Sequence, residues 1–238
     1  SLYILFRGPV PVKILFHGYS FSVCRDVLTL GLTPFLIILF DNVLIIVQNV
    51  MLKNYGGANN DMLLTCNTIV QSFMLIITMP LSGISGGTQS VLGYNYGAGE
   101  YERVRRGIRF TTVLTVGYSV AAWVLVMAVP ELLIRIFNDE PELIAAGIPA
   151  FRLYFAAFFC MSFQFIGQSV FVGLGRSRSA VFFSLLRKAF IVAPLTLLLP
   201  GLGMGVDGVF AAEPVSNVLG GLACLLTMYI TVYRRLGR

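Results

Sequence analysis

Charged residues are scarce in this chain: they make up 12% of its 238 residues, whereas 57% of the residues are hydrophobic. A soluble globular domain carries roughly 25% charged residues, so the deficit favours a chain that is solvated by a lipid bilayer. The 17 lysines and arginines gather at alternate ends of the apolar segments and form no single basic patch. This distribution argues against a nucleic-acid partner.

Cysteine and histidine are also rare, which removes several kinds of chemistry. The four cysteines show no CxxC or metal-binding spacing, so neither a disulfide framework nor a metal centre is predicted. Residues 83–86 (GISG) resemble the serine motif of rhomboid intramembrane proteases, but the single His17 precedes every long apolar segment. Because no later histidine can act as a base for Ser85, we predict that the chain is not an enzyme and needs no cofactor.

Six long apolar segments follow residue 26. A membrane-spanning helix needs about 20 residues, and the segments lie near 27–52, 62–90, 108–130, 143–174, 179–200 and 209–233. The sequence therefore predicts an all-α, polytopic membrane protein with a bundle of six transmembrane helices in residues 27–238. Residues 1–26 have the pattern of the end of a preceding helix plus a connecting loop. Since the chain opens without methionine, we expect a fragment of a longer protein.

The basic residues predict the orientation of these segments in the membrane. Twelve lysines and arginines fall on one side and three on the other, with Arg187 and Lys188 inside a segment. The positive-inside rule places the richer side in the cytoplasm, together with both chain ends, and an even number of spans agrees with that result. We therefore predict a multi-pass protein of the plasma or inner membrane with cytoplasmic termini.

Polar side chains at helical spacing mark candidate site residues. Asp41 lies near the middle of the first segment, where a charge costs on the order of 3 kcal/mol, so we expect it to face protein or water. We interpret Asp41 as a proton or cation site; the alternative is a structural hydrogen bond to a neighbouring helix. Gln48 follows on the same helical face. The other polar residues, which could line a cavity or join helices by hydrogen bonds, are Asn67, Gln71, Gln164 and Gln168.

Three further charges inside apolar segments have simpler interpretations. Pro214 favours the first turn of a helix, where Glu213 would complement the helix dipole. Arg187 and Lys188 lie about nine residues into the fifth segment, close enough for their long side chains to reach the cytoplasmic surface by snorkelling. The alternative for these two cations is a gate contact with an acid on an absent partner half.

A series of short motifs resembles one transporter family. Residues 89–106 (QSVLGYNYGAGEYERVRR) resemble the signature QP-x-x-G-YNYGA-x-x-Y-x-R-V of the MATE (multidrug and toxic compound extrusion) transporters, with Ser90 in place of the usual proline. Weaker likenesses to the same family follow in chain order. They are GLTPF at 31–35, YGGA at 55–58, GLGR at 173–176, LLRK at 185–188, the stretch ending in LLP at 191–200, and PVSN at 214–217.

This resemblance implies a twelve-helix transporter of two lobes, in which the chain would be the C-terminal lobe and its missing partner the N-terminal lobe. Family members export organic, often cationic and amphipathic compounds in exchange for protons or sodium. Asp41 matches an acidic position of the family, where sodium could bind. Residues 151–175 contain no acid, although some relatives use one there. The resemblance therefore gives little support to a two-carboxylate sodium site.

Two other functions remain open at this stage. A flippase for lipid-linked saccharides, from the same superfamily, would carry a large anionic lipid and should show cationic residues along its cavity. A non-transporting membrane assembly subunit would not need Asp41. The polar stripes carry Asp, Asn and Gln, which favours the efflux transporter.

Cysteine labelling in a cysteine-free background tests the predicted topology. Asn60→Cys should react with a membrane-impermeant maleimide added outside intact cells, whereas Ser177→Cys should react only after the cells are opened, because the twelve-to-three charge bias places these loops on opposite sides. The reverse labelling pattern would invert the topology.

Overall fold

The structure is a computed structural model that describes residues 20–237, with side chains omitted for part of the stretch 26–37 and for Ala58. Within that range the long segments are helical, and no strand occurs. The compact unit that holds the candidate site spans Leu39–Arg238, and a separate unit ends at Ile38. The predicted end of a preceding helix and most of the loop in residues 1–26 lie outside the described residues.

The first three predicted segments are helical, and each helix begins before its predicted start. Helix α1 spans Phe21–Tyr55, so it begins six residues before the predicted start at residue 27. A short 3₁₀ turn, Gly57–Asn59, leads to α2, Asn60–Gly97. Helix α3 spans Tyr101–Ala128 and is followed by the short α4, Pro130–Arg135. The 38 residues of α2 cover about 57 Å at 1.5 Å per residue, so α2 projects well beyond a hydrocarbon core of about 30 Å.

The fourth predicted segment is broken rather than continuous. It consists of α5, Pro141–Phe155, and α6, Phe158–Gly173, which are bent by 41° relative to each other. The indole N–H of Trp123 donates to the carbonyl of Ala156 at the break, with an N–O distance of 3.0 Å. A side chain that captures a backbone carbonyl is a recognised cause of a kink. Length and hydropathy do not reveal this contact, so the sequence predicted the segment but not its break.

The fifth and sixth segments join across a glycine kink. Helix α7, Ser177–Leu185, continues through a π-helical stretch, Leu186–Val192, into α8, Ala193–Leu199, and a second π-helical stretch, Pro200–Met204. Helix α9 then spans Gly205–Thr231, and a 3₁₀ turn, Tyr233–Arg235, follows it. Gly203 and Gly205 have φ values of +98° and +53°, which only glycine adopts readily. The chain therefore turns between α8 and α9.

These helices confirm the predicted all-α membrane fold. Among the described residues, three helices are long and apolar enough to cross a membrane, or four if the bent pair α5–α6 forms one span. One of the three is the stretch Ser177–Arg235, which the turn at Gly203 divides into two segments. With α1 added, six long helical segments are present, in agreement with the predicted bundle.

Helix α6 packs closely against α9 because glycines replace bulkier residues where the helices meet. A Cβ atom on Gly221 would lie 2.5 Å from the backbone oxygen of Cys160, and one on Gly167 would lie 2.5 Å from Sγ of Cys224. Small residues that permit such close approach are typical of membrane helix pairs. Beside this contact, an aromatic cluster fills the core between α2, α5 and α6; its members are Phe73, Phe151, Tyr154, Phe155 and Phe158.

We predict that Gly221→Ala lowers the free energy of unfolding by about 1–3 kcal/mol, because the new methyl group must displace the backbone of α6. The matched control is Gly117→Ala on α3, where nothing lies within 4 Å of the added Cβ. That variant should be neutral or stabilising by up to about 1 kcal/mol through helix propensity. Reversible unfolding in detergent measures both values, and equal effects at the two sites would contradict the packing argument.

Candidate functional site

The candidate site centres on the π-helical stretch Leu186–Val192, which carries two adjacent cations. Pro194 stands in the first turn of α8, directly after this stretch, and cannot donate a backbone hydrogen bond to the preceding turn. π-Helical turns inside α-helices often occur at functional sites. Here the turn presents Arg187 and Lys188 to acids on two different helices.

Arg187 is buried and binds α9 through its Nη1 atom, while its Nε atom has no hydrogen-bond partner among the described residues. Its Nη1 atom donates to Oε1 of Glu213 at 2.7 Å and to Oδ1 of Asn217 at 2.8 Å, and only 2% of the residue is exposed. Glu213 and Asn217 are four residues apart, so they lie on the same face of α9. Gly220 makes room for the arginine, since a Cβ atom there would lie 2.8 Å from Cγ of Arg187.

These contacts overturn the snorkelling interpretation of Arg187 and Lys188. Both side chains bind acids within the bundle, so neither needs to extend to the membrane surface. The alternative of a gate contact to an acid of an absent half is also wrong for these bonds, because both acids belong to this chain. Local sequence could not reveal either pair, since 26 residues separate Arg187 from Glu213.

The dipole interpretation of Glu213 is likewise wrong. Helix α9 begins at Gly205, which places Glu213 in its third turn and Pro214 inside the helix. The acid in the first turn is instead Asp207. The cause is the turn at Gly203, which lets the helix begin four residues before the predicted start at residue 209.

Asp41 on α1 pairs with Lys188. Nζ of Lys188 lies 2.7 Å from Oδ1 of Asp41, and the two side chains are 22% and 39% exposed, respectively. Glu213 lies within electrostatic range of both cations. The four charges (Asp41, Glu213, Arg187 and Lys188), which we call the charge network, therefore sum to zero. Paired burial of this kind limits the desolvation penalty of intramembrane charges.

Amide side chains join α1 to α2 beside the charge network. Nε2 of Gln71 donates to Oε1 of Gln48 at 2.8 Å and to the hydroxyl of Tyr154 at 3.3 Å. Nδ2 of Asn67 donates to Oδ1 of Asn49 at 2.9 Å. The hydroxyl of Tyr154 also lies within electrostatic range of Glu213. Three of the predicted site residues, Gln48, Asn67 and Gln71, thus form interhelical hydrogen bonds between α1 and α2, about two helical turns along α1 from Asp41.

The other two predicted site residues make no hydrogen bond to this cluster among residues 20–237. Oε1 of Gln164 is buried without a hydrogen-bond partner among the described residues, and Nε2 of Gln168 donates to the carbonyl of Ala180 at a long 3.4 Å. Sequence reasoning left Arg187, Lys188, Glu213 and Asn217 outside the predicted site. Their position inside apolar segments could have identified them, because polar and ionisable residues within a membrane segment are usually functional.

A bundle of apolar helices long enough to cross a membrane, with paired charges between them, is typical of multi-pass membrane proteins. The MatE family model matches residues 35–198, which is more than half of the chain. The chain therefore belongs to the MatE family. No curated protein matches the chain at a significant level.

Solved structures show the same fold. An outward-facing multidrug resistance MATE family transporter of the MOP superfamily matches at a TM-score of 0.84 and 18% identity, over 98% of this chain and 52% of its own. A MOP superfamily transporter from Pyrococcus furiosus, described by the reverse polarity of its binding pocket, matches at 0.84 and 18%, over 97% and 52%. An inward-facing MATE transporter matches at 0.80 and 17%, over 98% and 54%. The chain thus spans about half the length of these structures.

We predict strong coupling between Arg187 and Glu213 in a double-mutant cycle. Arg187→Met alone should cost about 3–5 kcal/mol of unfolding free energy, because it leaves Glu213 buried without its closest partner. The double variant with Glu213→Gln should regain most of that loss.

The matched control is the exposed pair Arg135 and Glu131, whose charged atoms lie at a similar 2.8 Å. Its cycle of Arg135→Met and Glu131→Gln should give a coupling of about 0.3–0.5 kcal/mol. Additive effects in the Arg187 cycle would contradict the assigned pair.

Proposed function

We propose that this chain forms the C-terminal lobe of a secondary active efflux transporter, which exchanges organic, cationic and amphipathic compounds for protons or sodium. The observation that carries the proposal is the ion pair of Asp41 with Lys188. It is an intramembrane carboxylate that remains partly exposed and has a cation as its exchangeable partner.

The proposed coupling depends on competition for Asp41. A proton or a sodium ion that binds Asp41 competes with Lys188, and a cationic substrate competes for the same carboxylate. Arg187 is held by two side chains of α9, so the adjacent Lys188 starts from a fixed point of the backbone. The ion and the cationic substrate cannot both bind the carboxylate of Asp41 at the same time. Such mutually exclusive binding is required for exchange. For transport, the occupant must also bind the two access states with different affinities.

The second wall of the cavity belongs to the other lobe in this proposal. The chain spans about half of the solved transporters, and the exposed fractions of Asp41 and Lys188 support a position on the face towards that lobe. The bilayer surrounds the remaining faces. The lobe lies in a plasma or inner membrane, and both of its termini are on the cytoplasmic side. Sodium, if it is the coupling ion, would use Asp41 as its single carboxylate in this site.

A flippase for lipid-linked saccharides is the second candidate, and one observation favours it. Arg187 and Lys188 bind acids inside the bundle. The polar residues that the sequence analysis placed in the candidate site include no cation. However, Glu213 and Asp41 neutralise both, so the charge network offers no excess positive charge to an anionic lipid. The efflux proposal therefore accounts better for the site.

We predict that Asp41→Asn lowers ion-driven efflux of cationic dyes by at least about tenfold while the protein inserts and folds, because the amide cannot ionise and cannot exchange a proton for Lys188. Coupling free energies of 1–3 kcal/mol correspond to roughly 5- to 150-fold effects. The measurement is dye efflux from proteoliposomes of the intact transporter under an imposed proton or sodium gradient.

Two further variants sharpen this experiment. Asp139→Asn removes an exposed acid and should leave efflux unchanged. Lys188→Met removes the competitor and should lower the ion concentration at half-maximal efflux. Wild-type efflux with unchanged ion dependence in Asp41→Asn would reject the coupling role and favour a structural carboxylate or a non-transporting subunit. Dye efflux that is absent in the wild type, together with flipping of an anionic lipid, would favour the flippase.

A further inference from the structure

We propose that a groove between α3 and α9 binds one anionic phospholipid, with the headgroup phosphate at Arg109 and an acyl chain along the groove. The groove contains none of the four residues of the charge network, so a phospholipid bound there would not compete with the transported substrate for them.

The groove has the dimensions and the lining of an acyl-chain site. Its volume is about 670 Å³, and apolar side chains from two helices form its walls. Val113 on α3 and Leu226 on α9 are 74% and 56% exposed in the bundle. The other apolar residues of the walls are Ile108, Leu225 and Met228.

One end of the groove carries a cation, Arg109, that is held by Tyr233 and forms no ion pair among the described residues. Nε of Arg109 donates to the hydroxyl of Tyr233 at 2.6 Å, and Tyr233 stacks on Tyr229 with ring centroids 5.4 Å apart. No hydrogen bond or ion pair engages the terminal nitrogens of Arg109 among residues 20–237. These N–H groups are therefore available to a phosphate, for which a planar guanidinium is a suitable donor.

The surrounding charge has the same sign. Arg105 lies 6.0 Å from the ring centroid of Tyr233, and its Nη2 atom donates to the carbonyl of Leu236. Arg106, Arg234 and Arg235 follow nearby in sequence at the same end of α3 and α9. Glu102 is the acid within ion-pair distance of this group, at 3.8 Å from Arg105. The net positive charge selects an anionic headgroup and disfavours a zwitterionic one, whose own cation the arginines repel.

The depth of Arg109 fits a headgroup. The 28 residues of α3 cover about 42 Å, whereas a hydrocarbon core of about 30 Å takes 20 residues. If the apolar stretch ends with Ala128, it begins near residue 109, which places the guanidinium at the boundary between chains and headgroups. Tyr229 and Tyr233 suit the same level, since tyrosine is enriched at membrane interfaces. Basic pockets between helices at this level are known to bind anionic lipid headgroups.

Native mass spectrometry of the delipidated, intact protein tests the proposal, with phosphatidylglycerol and phosphatidylcholine as probes. We expect the first phosphatidylglycerol to bind at least about fivefold more tightly than the first phosphatidylcholine. Arg109→Gln should raise the apparent Kd for phosphatidylglycerol about fivefold, in line with one basic residue near an anionic surface. Arg178→Gln, which removes an exposed arginine from the first turn of α7, should leave this Kd unchanged.

Val113→Trp provides an independent variant, because it fills the groove from an exposed position and leaves Arg109 in place. It should weaken phosphatidylglycerol binding while the lipid-free protein keeps its wild-type melting temperature. Equal affinity for the two lipids, or equal losses in Arg109→Gln and Arg178→Gln, would reject a specific site. Unchanged binding in Val113→Trp would also overturn the proposal, since the acyl chain would then lie elsewhere.

Discussion

The burial of Arg187 is the constraint on which much of this structure depends. A permanently charged guanidinium that is 2% exposed costs several kcal/mol unless anions and acceptors surround it. Glu213 and Asn217 meet that demand, but only because α9 begins early enough to bring both residues level with the π-helical stretch. The turn at Gly203 and the absence of a side chain at Gly220 thus both allow Arg187 to be buried against α9. Charge compensation fixes the register between α9 and the stretch that carries both cations.

The two adjacent cations differ in their exposure and in the number of their partners. Arg187 has two partners on one helix and is inaccessible, whereas Lys188 has a single acid on α1 and remains 22% exposed. An arginine suits the fixed position because its planar fork binds several acceptors at once, and a lysine suits the adjustable one because it is a flexible point charge. The π-helical turn keeps the two side chains on the same stretch of backbone. Under the proposed coupling, this pairing of a fixed charge with an exchangeable one lets the site respond to ions without unfolding.

The sequence determines some features of this fold and leaves others open, for identifiable reasons. The six segments and the all-α class follow from the length of apolar runs, because a helix satisfies its own backbone in lipid. The break between α5 and α6 depends on Trp123, a tertiary contact that hydropathy does not contain. Spacing along α1 and α2 identified Gln48 and Gln71 but not their bond to each other. The pairing of Arg187 with Glu213 needs the relative position of two helices, and local patterns predicted a surface cation and a dipole partner instead.

The position of α1 connects the amides to the charge network. Asp41 and Gln48 are seven residues apart and thus share one face of α1, where Asp41 meets Lys188 and Gln48 meets Gln71. Under the proposed coupling, ion occupancy changes the bond of Asp41 to Lys188 but leaves the neutral amide bonds unchanged. Under the proposed coupling, a proton or cation at Asp41 therefore loosens one point of α1 while Gln48 and Asn49 still hold the helix to α2. A helix that is held at one level and released about 10 Å away, at 1.5 Å per residue, will tilt rather than separate from the bundle. Tyr154 on α5 accepts a hydrogen bond from Gln71, so it links α5 to the amide pair that joins α1 and α2.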